Sequence, residues 1–233
     1  MLIPIRDENR KKTVPIMTMI FLLINVGVFI YQILLGQEAQ ALIYRFGAIP
    51  WEIVNLRELP DLKPMFRSPL PSPFTLITSM FFHAGIFHLI GNMLYLWIFA
   101  DNVEALTGHI RFFWFYLCCG ISAALTHVLF APNSTIPMIG ASGAISGVLG
   151  AYFVRFPKAK VHLLFFFFII IKVFRVSAPA MLGVWFLFQI LNGVLLQNTA
   201  EAGVAWFAHI GGFITGLILI FLFEKRKRVL KLS

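Results

Sequence analysis

The 233-residue chain is 59% hydrophobic and only 12% charged, with a mean hydropathy of +0.85. Soluble domains average about 45–50% apolar and about 25% charged, so this composition excludes disorder, a small disulfide-stapled fold and an ordinary cytosolic enzyme. The net charge of +9 reads as the imprint of loops placed around a membrane rather than as a nucleic-acid footprint.

A helix crossing about 30 Å of hydrocarbon needs roughly 20 apolar residues, and six windows approach that length. Residues 1–13 carry Arg10-Lys11-Lys12 and read as a short cytoplasmic N-terminus. They do not read as a cleavable signal, because the apolar run that follows is too long and lacks a small-residue cleavage site. The first window is Val14–Leu35. A long loop, Gly36–Phe74, mixes Phe46, Trp51 and Phe66 with six prolines, and its aromatic content places it at the membrane interface. The second window is about Leu76–Ala100, and the third Phe112–Ala131. The fourth, Pro137–Val154, is short and rich in small residues. Leu163–Ile171 is intensely apolar but too short to span, so it reads as an interfacial or re-entrant approach, with a seventh span as the alternative. The fifth window is Ala178–Leu196, the sixth Gly203–Phe223, and residues 224–233 form a basic cytoplasmic tail. Cys118 and Cys119 are neighbours, a spacing that disfavours a bridge.

Charge sets the orientation. With the N-terminus inside and six spans, fifteen of the nineteen Lys and Arg fall on the inner side. The other four, Arg45, Arg57, Lys63 and Arg67, sit in the single long outer loop. Cytoplasmic loops carry such an excess of basic residues, so both termini are expected in the cytoplasm. The fold class is an all-α integral membrane bundle.

Strongly polar groups inside a membrane are costly and therefore candidate functional residues. The second helix carries His83, His88 and Asn92, and the last two share a face four residues apart. The fourth carries Ser142 and Ser146, and the sixth carries His209. On this topology Ser142, His209 and the His88/Asn92 pair sit at a similar shallow depth on three helices. Such a set suits acyl transfer. A serine hydroxyl needs a base to take its proton, which a histidine can do near neutral pH, while Asn, His and backbone N–H groups can hold an oxyanion. No carboxylate is placed to orient the histidine, so the arrangement is a Ser–His dyad. Gly140, Gly143, Gly147 and Gly150 on one helix, and Gly211, Gly212 and Gly216 on another, form small-residue stripes that let backbones approach. Taken singly, each feature has a plainer reading. Ser142 could bond its own helix, His209 could be a packed histidine or part of a proton path, and His88 with Asn92 could be interhelical glue. Asn25, Gln189 and Asn192 read as structural glue, and His83, His109, His127 and His162 carry no assignment. A small transporter using His88, Asn92 and His209 is the rival class; the lack of an internal repeat and the shallow polar set argue against it.

The chain resembles the rhomboid intramembrane serine proteases over roughly Tyr44 to Phe223. The resemblance rests on Phe81-Phe82-His83, on His88-x3-Asn92, on Gly140-Ala141-Ser142-Gly143 and on Ala208-His209-x2-Gly212-x3-Gly216, in that order. It implies a six-helix protease domain at residues 14–223 that cleaves transmembrane segments near the outer face. It also implies Ser142 as nucleophile, His209 as general base, and His88, Asn92 and the Ser142 N–H as the oxyanion hole. Glu104 matches the family's acidic residue after the second helix, with a structural role. The fifth helix and the loop before His209 resemble the family's gate and cap. Two positions depart from the pattern. Pro73-Phe74 stand near the usual Trp-Arg pair, and Ser146 replaces the aromatic residue usually beneath the histidine, so Ser146 is expected to hydrogen-bond His209. A pseudoprotease that keeps the fold is the second alternative, disfavoured because both Ser and His are present. No cofactor or metal and no nucleic acid is implied. The expected partners are transmembrane protein substrates and the lipid bilayer, in a bacterial plasma membrane, with oligomeric state open.

Overall fold

Inside a bilayer every backbone N–H and C=O must be satisfied within its own segment, so the apolar windows fold as helices. The computed structural model describes residues 2–9, 13–60, 62–167, 170–196 and 205–225. In chain order these form β1 (Leu2–Asp7), α1 (Ile16–Leu34), α2 (Ala39–Phe46), α3 (Pro50–Asn55), α4 (Thr75–Thr78), α5 (Ile86–Thr107), α6 (His109–Phe130), α7 (Ser142–Arg155), β2 (Lys160–Phe167), β3 (Ile170–Ser177), α8 (Ala178–Leu196) and α9 (Trp206–Phe223). Among the described residues five helices are long and apolar enough to cross a membrane, namely α1, α5, α6, α8 and α9.

The fourth window becomes α7, with only 14 residues. At 1.5 Å per residue it is about 21 Å long, short of the hydrocarbon thickness. It is the most enclosed helix, with Ala144 through Tyr152 all buried. Its start is set by main-chain pairing. Met138 and Ala48 exchange both backbone hydrogen bonds, at 2.8 and 3.0 Å, and the Gly140 N–H donates to the Ser79 carbonyl at 2.9 Å. Those bonds anchor the turn before Ser142 and stitch the long first loop to the start of α7. The second window is also displaced, since α5 begins ten residues late, at Ile86. The main chain of His83 is taken by Gln32 of α1, which accepts from His83 N and donates to His83 O, both at 3.1 Å. In exchange α5 runs past Ala100, so Asp101 and Glu104 lie inside the helix rather than beyond it.

The all-α expectation is corrected by a three-stranded antiparallel sheet, β1-β2-β3. The apolar segment expected to be re-entrant forms the antiparallel strands β2 and β3 instead, and residues 168–169 lie outside the described set. Its Phe, Ile, Leu and Val content favours strands. Val161 and Leu163, on one face of β2, are buried in the main core, whereas His162 on the opposite face meets Glu8 at 2.9 Å. The N-terminal residues therefore contribute an edge strand, pairing Leu2 with Phe165 through Asp7 with Val161.

This sheet and the C-terminal ends of α5, α7 and α9 share one end of the bundle. Arg155 there pairs with Glu224 at 2.6 Å, and Lys225 N donates to the Leu106 carbonyl. Glu104, 1% exposed, joins three elements at that end. Its carboxylate accepts from Met17 N and Thr18 N, both at 2.8 Å, and from Thr18 Oγ1 at 2.7 Å, and it lies 2.6 Å from His109 Nδ1. Pro15 offers α1 no side-chain cap, so a carboxylate from α5 satisfies the orphan amides and complements the helix dipole. Removing it strands buried donors, so Glu104→Ala is expected to cost about 2–4 kcal/mol, measurable as a lowered Tm in detergent.

The middle of the bundle is set by glycine. A methyl group at Gly216 of α9 would strike the Gly147 carbonyl of α7, one at Gly212 the Gly143 carbonyl, and one at Gly150 the Phe213 carbonyl. The two backbones are in direct contact, which places the residues flanking those glycines face to face.

Candidate active site

Ser142 is the first residue of α7 and His209 lies in the first turn of α9. The Gly143–Gly212 contact one residue below Ser142 fixes their separation. Ser142 Oγ lies 2.8 Å from His209 Nε2, a hydrogen-bond distance suited to proton transfer. Ser142 sits at the helix N-terminus, where the first amides have no intrahelical acceptor and point outward.

His88 and Asn92 come to the same place from α5. Both flank Gly140, where a Cβ would lie 2.8 Å from His88 Nε2 and 3.6 Å from Asn92 Nδ2. Gly140 has φ +122°, a conformation L side chains rarely adopt, so the turn into Ser142 needs glycine for both backbone and space. Asn92 is buried, and its Nδ2 donor has no hydrogen-bond partner among the described residues. A buried unpaired donor is costly unless something occupies the space before it. That space is a cavity of about 360 Å³ bounded by His88, Asn92, Tyr95, Ser142, Trp185 and His209. His83, left unassigned from sequence, is buried with its ring 5.1 Å from that of His88.

Two expectations change here. Ser146 does not hold His209, because its hydroxyl donates to the Ser142 carbonyl at 2.6 Å, the ordinary back-bond of a helical serine. His209 Nδ1 instead lies 2.7 Å from Gln189 Oε1 of α8. From sequence, Gln189 groups with Asn25 and Asn192 as structural glue. Those two bond carbonyls four residues back in their own helices, whereas Gln189 reaches across to α9. The signal for Gln189 in the sequence is its depth within an apolar window. Gln189 is the twelfth residue of α8, about 17 Å along the helix from its start, at the level of Ser142. The aromatic support missing at position 146 is supplied from elsewhere. The rings of Trp185 and Trp206 lie 6.0 and 6.3 Å from that of His209. The loop before His209, residues 197–204, lies outside the described set. Glu104 is remote from this cluster, at the opposite end of α5.

A serine, a histidine and convergent donors around a cavity can activate a hydroxyl, hold an oxyanion and protonate a leaving group. Comparison with known proteins gives the same direction. The Rhomboid domain matches residues 71–226. The chain is 31% identical to Rhomboid protein 1, mitochondrial, of Saccharomyces cerevisiae over 156 residues, which is 63% of this chain and 41% of that protein. It is 33% identical over 150 residues to RHOMBOID-like protein 6, mitochondrial, of Arabidopsis thaliana, covering 63% and 42%. It is 43% identical over 76 residues to Rhomboid protease GluP of Bacillus subtilis, covering 33% and 14%. The chain thus spans less than half the length of these relatives. With the domain matched over well over half of the sequence, and the helices long enough to cross a membrane, this integral membrane protein belongs to the rhomboid family.

Proposed function

We propose that the protein is an intramembrane serine endopeptidase that cleaves transmembrane segments of membrane proteins near the outer face through Ser142 and His209. The observation that carries this reading is the 2.8 Å contact between Ser142 Oγ and His209 Nε2 beside a cavity holding an unpaired amide donor. The similarity to the rhomboid protease GluP of Bacillus subtilis supports it.

A substrate helix approaches laterally past α8 and unwinds at its outer end. His209 Nε2 takes the Ser142 proton as Oγ attacks the scissile carbonyl carbon. The resulting oxyanion accepts hydrogen bonds from the Ser142 N–H, Asn92 Nδ2 and His88. Collapse of this intermediate breaks the C–N bond, and the imidazolium gives its proton to the departing amine. Water, activated in turn by His209, hydrolyses the acyl-enzyme and regenerates the hydroxyl. Gly140, Gly143, Gly212 and Gly216 bring the two helices together, and Ser146 packs beneath the nucleophile.

In this reading α7 is the sixth membrane-inserted helix, shielded from lipid by its neighbours. The protease domain occupies residues 14–223. Residues 1–13 and 224–233 face the cytoplasm, and the active site opens to the extracytoplasmic side of a bacterial plasma membrane. The basic end carries Arg6, Arg111, Arg155, Lys158, Lys160, Lys172, Arg175 and Lys225, which supports that orientation. The partners are transmembrane proteins and the bilayer. The test is labelling of the detergent-solubilised protein with a fluorophosphonate. We expect modification of Ser142, loss of modification in His209→Ala, and cleavage of single-span substrates mapped by mass spectrometry. Labelling that ignores both residues would overturn the proposal.

A further inference from the structure

A glutamine is an odd residue for α8. The helix exposes Val184, Leu187, Phe188 and Leu191 to the lipid, yet Gln189 between them is only 4% exposed. A buried amide is costly unless its polar atoms are paired, and leucine would fill the space without that cost. Both ends of the amide are engaged. Oε1 faces His209 Nδ1 at 2.7 Å, and Nε2 donates to the Trp185 carbonyl at 3.4 Å.

That second bond sets the direction of the first. Reversing the amide would put Oε1 against the Trp185 carbonyl, two acceptors facing one another. With the oxygen toward the ring, Nδ1 must carry the proton and Nε2 must be the lone-pair nitrogen. This is the one neutral tautomer that can accept from the Ser142 hydroxyl, which waits 2.8 Å away. The other tautomer would aim a proton at the serine and could not act as base. Ser146 does not compete for this role, since its proton goes to the Ser142 carbonyl.

We propose that Gln189 is a positioning residue that holds His209 in its base-competent tautomer and orientation, so that Ser142 and His209 work with a neutral amide as third partner rather than as a bare dyad. The proposal rests on the assignment of Ser142 and His209 as nucleophile and base. An amide offers a dipole where a carboxylate offers a full charge, so its contribution is smaller than an aspartate's. Because Gln189 rides on α8, the histidine is held only while α8 stays docked against α9. A substrate that displaces α8 on its way in must let it return before chemistry proceeds.

The test uses the full-length protein in detergent, with fluorophosphonate labelling of Ser142 and cleavage of a transmembrane substrate as readouts. Gln189→Met keeps the volume and removes the acceptor. It is expected to lower the labelling rate and kcat by about 10–100-fold, less than the roughly 10⁴ lost when the aspartate of a serine protease is neutralised, with KM and Tm unchanged. Gln189→Glu, as the carboxylic acid, keeps a carbonyl oxygen toward Nδ1 and offers an O–H to the Trp185 carbonyl, and should recover most of the lost rate, a rescue that a purely packing role would not show. Wild-type labelling in Gln189→Met would overturn the proposal while leaving the nucleophile assignment intact. Labelling that persists in Ser142→Ala would overturn the nucleophile assignment instead. Should Gln189→Met fail to fold, the ¹⁵N resonances of His209 in the wild-type protein decide, identified by their absence from His209→Ala. A neutral ring protonated at Nδ1 supports the proposal, and one protonated at Nε2 overturns it.

Discussion

Ser142→Ala is expected to abolish cleavage, with a fall of about 10⁴–10⁶-fold in kcat, the scale seen when a serine protease loses its nucleophile. The loss should be complete because no second hydroxyl can substitute. Ser146 is the nearest alternative in sequence, one turn further along α7. Its Oγ is 2.6 Å from the Ser142 carbonyl, turned back along its own helix rather than toward His209. The fold should survive, since the Ser142 side chain bonds only His209 among the described hydrogen bonds and the main-chain bonds that hold the turn before it do not involve its hydroxyl. An unchanged Tm together with silent fluorophosphonate labelling would establish the assignment. Residual cleavage at a mapped, unaltered peptide bond would move the nucleophile elsewhere.

The second large effect is structural. Gly216→Leu is expected to separate α7 from α9 and to lose both stability and labelling together. Overpacking an ordinary core costs about 1–3 kcal/mol because side chains can shift. Here the obstacle is the Gly147 backbone, which moves only if the whole helix moves, so the cost should exceed that range. Opening the contact also carries His209 away from Ser142, since the same glycine row sets their separation. Gly27→Ala is the matching control. Nothing lies within 4 Å of its added methyl, and alanine is the better helix former by about 1 kcal/mol. A Tm series for the two variants, read beside labelling, separates close backbone contact from a general intolerance of larger residues. Equal behaviour of the two would show that the stripe is not what holds the helices together.

Much of this organisation is written along the chain. Apolar windows announce membrane helices because hydrocarbon leaves the backbone no other partner, and α1, α6, α8 and α9 fall within a few residues of their windows. Ser142, His209, His88 and Asn92 stand out because polar residues are rare where water is absent, and the structure gathers all four around one cavity. Ranges were less legible. The start of α5 depends on Gln32, 51 residues before His83, taking that residue's main chain, and the start of α7 depends on Met138 pairing with Ala48. The sheet was not legible because β1, at the start of the chain, pairs with β2 far along it, and a short apolar run such as β2 or β3 has no periodicity that separates strand from buried helix.

Gln189 marks the boundary between the two kinds of information. From the sequence alone it is one of several amides in apolar helices, and Asn25 and Asn192 share its description while serving only their own helices. Composition and spacing determined that this is a membrane bundle with a few polar residues buried in it, and the motifs around Ser142 and His209 carried the resemblance to the rhomboid family. Which side chain holds that histidine was decided only by tertiary structure, because it depends on how α8 packs against α9 and on where the Trp185 carbonyl turns the amide. Those are contacts between helices, and the order of residues within one helix does not specify them.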